Sequence, residues 1–158
     1  MTATIVEAGV LAAGSRDDGR AALERLALIG PVVLLVGPGD DAGATMLGSA
    51  DDPAGSQLTV VSWAGLSTQR PAGWQQHAGG GRTVDPEAVQ LLTELRAAHR
   101  ADWLIATEAI LASGRACPGL GIVCVGPAAD DADPMRPDHR AHSLLDAVHH
   151  VEAATAFA

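Results

Sequence analysis

Lysine is missing from this chain altogether, so all ten basic residues are arginine. That excludes a phosphate-loop lysine, a Schiff-base lysine and a serine–lysine dyad. Tyrosine is absent too, and one phenylalanine with three tryptophans makes up the aromatic complement. The core must therefore be aliphatic, built from Ala, Val and Leu with Gly. The two cysteines, Cys117 and Cys124, form no CxxC pair, and two thiols cannot build a zinc site unaided. Cys124 reads as a small buried hydrophobe inside an apolar run, and Cys117 as a loop thiol. No run approaches the ~20 apolar residues of a membrane span, and the start has no basic n-region leading into an apolar h-region. The expectation is a cytoplasmic protein. Positive charge is scarce, with 19 acidic residues against ten basic ones and a formal net charge of −9. Such a balance favours solubility and disfavours nucleic acid or an anionic membrane as partner.

What is present is enough for one domain spanning residues 1–158, a length that buries roughly 70% of the surface exposed by the unfolded chain. The stretch from Thr83 to Pro127 organises it. Asp85 is a good N-cap and Pro86 suits the first helical position, where its missing N–H costs nothing. Val89, Leu92 and Leu95 then recur at helical spacing. Trp103-Leu104-Ile105 is a short buried-strand run and Gly121 to Gly126 a more continuous one. Two apolar strands joined by a helical crossover predict a parallel sheet covered on both faces.

The remaining segments repeat that alternation. Ala3 to Leu11 predicts a first strand ending near Glu7 to Gly9. Asp17 or Asp18 can cap a helix that places Leu23, Leu26 and Ala27 on one face and stops at Gly30. Val32 to Val36 is the most apolar run and predicts a central strand. Residues 37–57 are dense in Gly, Asp and Pro and read as a loop with a short helix around Ala42 to Leu47. Leu58 to Trp63 predicts a further strand. The run 64–82 is irregular, with Gly79-Gly80-Gly81 as a flexible point, and Ala128 to His142 is a polar loop. Ser143 and Asp146 form a capping box for a last helix, with Leu144, Leu145, Val148 and Val151 expected to pack inward. The fold class is α/β: a three-layer, Rossmann-like architecture on a mainly parallel sheet, without a large cap domain.

Several constellations match a chemical pattern only in part. Gly37-Pro38-Gly39-Asp40-Asp41-Ala42 matches a dinucleotide-binding pattern in form. It follows the second strand, however, and its two aspartates stand where a pyrophosphate would meet free N–H groups. Asp130, Asp131, Asp133, Asp138, His139 and His142 fit neither a calcium loop nor a helical histidine pair. His149 and His150 are adjacent on the last helix and point about 100° apart, so they cannot share an ion from one helix face. There is no G-x-S-x-G elbow.

The framework resembles the haloacid dehalogenase superfamily, most closely the capless histidinol-phosphate and heptose-bisphosphate phosphatases. The residues that carry the likeness are Gly9-Val10-Leu11, Asp85-Pro86-Glu87-Ala88, Trp103-Leu104-Ile105, Ser113-Gly114-Arg115-Ala116, Gly126-Pro127, Pro137 to Arg140 and Ser143-Leu144-Leu145. They cover nearly the full length, and none does chemistry. The catalytic positions that the resemblance implies are altered. The Asp-x-Asp-Gly of the first strand reads Val6-Glu7-Ala8-Gly9, so the nucleophile and the acid fall on Val6 and Ala8. The phosphate-holding hydroxyl falls on Val36, beside Gly37, and the lysine on Thr83, with Arg82 next door. The magnesium-binding Gly-Asp segment reads Ala106-Thr107-Glu108, shorter than the pattern and with one carboxylate left.

Phosphoryl transfer needs a carboxylate nucleophile, a cation and a basic group for the spreading charge. The resemblance therefore implies a pseudo-phosphatase: a binding, regulatory or scaffold protein with no catalytic residues, no resident metal and no cofactor, acting through a protein partner or as a homo-oligomer. The candidate crevice comprises Val6, Glu7, Ala8, Val36, Gly37, Arg82, Thr83, Thr107 and Glu108. Two alternatives stand beside this reading. One is a hydrolase with a relocated apparatus of Glu7, Glu108, Asp40 or Asp41 and Arg82, the only reading that would call for magnesium. The other is a small-molecule or phosphate sensor using Thr83, Thr107 and the N–H groups near Gly37.

Overall fold

The structure is a computed structural model that describes residues 2–7, 10, 16–36, 58–62, 86–107, 110–126 and 138–156. The expected loop at 37–57, the irregular run 64–82, Trp63 and the N-cap Asp85 lie outside the described residues. In chain order the elements are β1 (Ala3–Glu7), α1 (Arg16–Ile29), β2 (Val32–Val36), β3 (Leu58–Ser62), α2 (Pro86–His99), β4 (Ala101–Ala106), α3 (Leu111–Arg115), β5 (Gly121–Val125), β6 (His139–Ala141) and α4 (Leu144–Ala156).

The strands form one sheet in the order β3-β2-β1-β4-β5-β6, and every neighbouring pair is parallel. This is the doubly wound, Rossmann-like order, in which the chain builds outward from β1, returns and builds outward on the other side. Strand alternation sorts the core into two halves. Val6, Leu34, Ile105 and Val123 face α1 and α4, meeting Leu23, Leu26, Val148 and Val151. Ile5, Val33, Leu35, Leu104 and Ile122 face the other way, against Ala88, Leu92 and Leu95 of α2 and Cys117 after α3. Three layers result, and among the described residues there is no cap domain. No helix among those residues is long and apolar enough to cross a membrane.

Local chemistry explains where the elements stop. Helix α2 ends at His99, and Arg100 takes a left-handed φ of 55°, the usual exit from a helix though here without glycine. Its carbonyl then accepts the Ala3 N–H at 3.2 Å, tying the helix exit to the start of β1. At α4 the Ser143 hydroxyl accepts the Asp146 N–H at 3.1 Å. The Asp146 carboxylate accepts the His142 N–H, also at 3.1 Å, so the return arm of the expected capping box lands one residue early.

Three expectations change. Asp17 and Asp18 lie within the first turn of α1, which begins at Arg16. The polar loop ahead of His142 contains β6, which pairs Val123 with His139 and Val125 with Ala141. Asp138 starts that pairing: its N–H reaches the Ile122 carbonyl at 3.0 Å and its carboxylate accepts the Ile122 N–H at 2.8 Å. Leu145 is 40% exposed, and the inward position is held by Ala147. At 3.6 residues per turn the buried stripe runs through Leu144, Ala147, Val148 and Val151, leaving 145 to the side.

Candidate functional site

In a doubly wound sheet the crossovers leave the two central strands toward opposite faces, and ligands bind outside the carboxyl ends of the strands at that switch point. Here the switch lies between β1 and β4, whose last paired residues are Val6 and Ile105. Just beyond that pair stand Glu7 and Thr107. The Thr107 N–H donates to Glu7 Oε2 at 2.8 Å. The Thr107 hydroxyl lies 3.0 and 2.9 Å from Glu7 Oε1 and Oε2. Glu7 is 6% exposed, so its carboxylate is desolvated and held by charge-assisted hydrogen bonds across the seam. Residues a hundred positions apart in sequence thus close the top of the central strand pair.

Glu7 and Thr107 are brought together. Val6 is 0% exposed and belongs to the core against α1 and α4, so the position that the resemblance gives to a nucleophile is interior packing. Val36 ends β2 opposite Ser62 of β3. Ala8, Gly37, Arg82, Thr83 and Glu108 lie outside the described residues, as do Asp40 and Asp41.

Chemically, the Glu7–Thr107 arrangement is a clasp. The Glu7 carboxyl group accepts the backbone N–H and lies within hydrogen-bond reach of the hydroxyl, which fixes its orientation across the two strands.

The other candidates resolve into structural roles. Asp138 uses its carboxylate on the Ile122 N–H and on Arg115 Nη1 at 3.2 Å. His139 stacks on His150, and His142 is exposed; Asp130, Asp131 and Asp133 lie outside the described residues. No group of three or more His, Cys, Asp or Glu among the described residues could hold a metal ion. Cys124 is fully buried, as expected, with Arg140 Nη1 at 3.9 Å from its sulfur. Cys117 follows α3 in a turn but is buried, its sulfur 3.6 Å from the Thr93 hydroxyl.

One feature was not legible as a unit. The imidazoles of His139 and His150 are stacked at 4.1 Å with 2° between their planes. Trp103 meets His150 at 5.5 Å and 87°. The partial signal lies in His150 on the last helix and His139 in the polar run, two residues that no short motif joins. Burial holds the His150 proton affinity below the ordinary value, the nearby His139 lowers it further, and Asp146 and Asp138 oppose the shift. On the neighbouring helix, Arg25 of α1 grips Glu152 of α4 with two nitrogens and pulls that carboxyl below its ordinary range.

No protein-family model matches the chain, and no curated protein or solved structure is significantly similar to it.

Proposed function

We propose that this chain is a non-catalytic binding protein on a dehalogenase-like framework. It works in the cytoplasm through a protein partner or a second copy of itself, at the carboxyl edge of β1 and β4. The observation that supports this reading is the pairing of an occupied carboxylate with a filled position. Glu7 is engaged by the N–H and hydroxyl of Thr107, and beside it Val6 has no exposed surface. A phosphatase needs at that edge a carboxylate nucleophile, a cation and a basic group, and the resemblance places the nucleophile on Val6 and the basic group on Thr83, with Arg82 beside it. Replacing clustered catalytic carboxylates by apolar side chains removes their mutual repulsion and lets the sheet end close as a stable surface. The reading calls for no cofactor. Its net charge of −9 points to a protein partner rather than nucleic acid or membrane.

The test is turnover. The full chain, supplied with magnesium, is assayed against a panel of phosphomonoesters, and no release of phosphate above buffer is expected. Phosphatase activity that disappears in Glu7→Ala or Glu108→Ala would replace this reading with the relocated hydrolase.

A further inference from the structure

The joint between α4 and the β6 edge is built from aromatic rings in sequence. Trp103, on β4, packs against Gly121, its register partner on β5; a Cβ placed there would meet the ring at 2.8 Å. His150 of α4 meets Trp103 edge to face, and His139 of β6 stacks on His150. Leu144, Ala147, Val148 and Val151 seat α4 on the sheet, and the imidazole pair extends that seating to the β6 edge. Parallel rings aim their nitrogen lone pairs side by side, so they cannot converge on one ion, which sets a metal site aside.

Two imidazolium charges at 4.1 Å repel each other, and neither ring can move away without breaking the stack. The charged groups around the pair come from every element packed on it. Asp138 immediately precedes β6 and Arg140 is on it, and Asp146, His149 and Glu152 are on α4. Arg115 is at the end of α3, Asp102 is next to Trp103 on β4, and Arg25 is on α1. Asp138 is already bound to the Ile122 N–H and Arg115. Asp146 is bound to the His142 N–H, and Glu152 to Arg25. β5 contributes Gly121 and no titratable group at this point.

We propose that His139 and His150 form a proton-sensing joint: with at most one proton on the pair, the stack seats α4 and β6 on the sheet, and a second proton unseats them. The direction of the effect follows from linkage. The folded chain disfavours the His150 cation, so the unfolded chain binds more protons once the pH falls below about 6.5. The stabilising contribution is complete above that value and is lost as the pH drops through the lower, folded value.

Hydrogen exchange of the full chain tests this at about pH 7 and about pH 5, corrected for intrinsic rates. Protection of His139–Ala141 and of the second half of α4 is expected to fall by about tenfold or more at the lower pH, while β1 and β4 keep theirs. In His139→Phe, which keeps a stacked ring and removes its charge, the fall is smaller than in the wild type, since burial alone still opposes the His150 cation, and in His150→Gln it is lost. An unchanged wild type, or an equal fall in His139→Phe, overturns the proposal. Imidazole NMR on the wild-type chain gives a reading independent of any variant. His150 is expected to titrate below the ordinary histidine value, and a titration at or above that value would equally overturn the proposal.

Discussion

Thr107→Val isolates the clasp at the switch point. Valine keeps the shape of threonine and removes the hydroxyl that lies 3.0 and 2.9 Å from the two Glu7 oxygens, while the 2.8 Å bond from the Thr107 N–H stays in place. Because Glu7 is 6% exposed, water does not replace the lost donor in full. A hydrogen bond to a charged group contributes about 1.5–3 kcal/mol, so the variant should lose about 2 kcal/mol. For a chain of this size that lowers the thermal midpoint by about 4–8 °C. Urea unfolding followed by circular dichroism measures it, with the m-value unchanged because the same surface is exposed. Glu7→Gln keeps one acceptor oxygen for the N–H and should cost less, about 1 kcal/mol. The double variant should be less destabilised than the sum of the two by about 1 kcal/mol, since both delete the same interaction. A loss below about 0.5 kcal/mol in Thr107→Val, together with strict additivity, would refute the clasp.

The other predictions concern the frame around that site. Gly119 holds a φ of 79°, and a Cβ there would come within 2.5 Å of Arg96 Nη2, so Gly119→Ala should cost about 1–2 kcal/mol by chemical denaturation. Adding Arg96→Ala should relieve the collision and leave the backbone strain. Ser143→Ala removes the acceptor for the Asp146 N–H and should cost about 1 kcal/mol. Thermal midpoints against pH should decline in two separate windows. One lies below about 6.5, from the depressed His150 affinity. The other lies below the ordinary carboxyl value of 4.5, where Glu152, held low by Arg25, takes up its proton. His150→Gln should flatten the first window alone.

The sheet could be read from the sequence wherever strands are buried on both faces. Val32–Val36 and Gly121–Val125 are continuous apolar runs because helices cover each side, and Pro86 marked the start of α2 by backbone chemistry alone. β6 could not be read that way. His139, Arg140 and Ala141 carry no strand periodicity, and their pairing depends on Asp138 gripping Ile122, a tertiary contact. Leu145 misled because hydrophobicity outranked phase: Ala147, small and inconspicuous, holds the inward position. At the candidate site, Glu7 and Thr107 were both legible as residues at strand ends facing one crevice. Their mutual bond was not, because parallel strand order is settled by the whole sheet rather than by either segment. The histidine stack was hidden for the same reason, with one ring on a strand and the other on a helix.

Thermal unfolding of the full chain with magnesium and orthophosphate, each alone and together, tests most directly whether a phosphate site survives at the carboxyl edge of β1 and β4. With Val6 buried where the resemblance places the nucleophile and Glu7 bonded to Thr107, the midpoint should not move under any of the three conditions. A ligand at about 100 times its dissociation constant adds about 2.7 kcal/mol, or roughly 5–10 °C here. A rise of that size only when metal and anion are both present would mean that the edge still assembles a phosphate site, and the non-catalytic reading would be wrong.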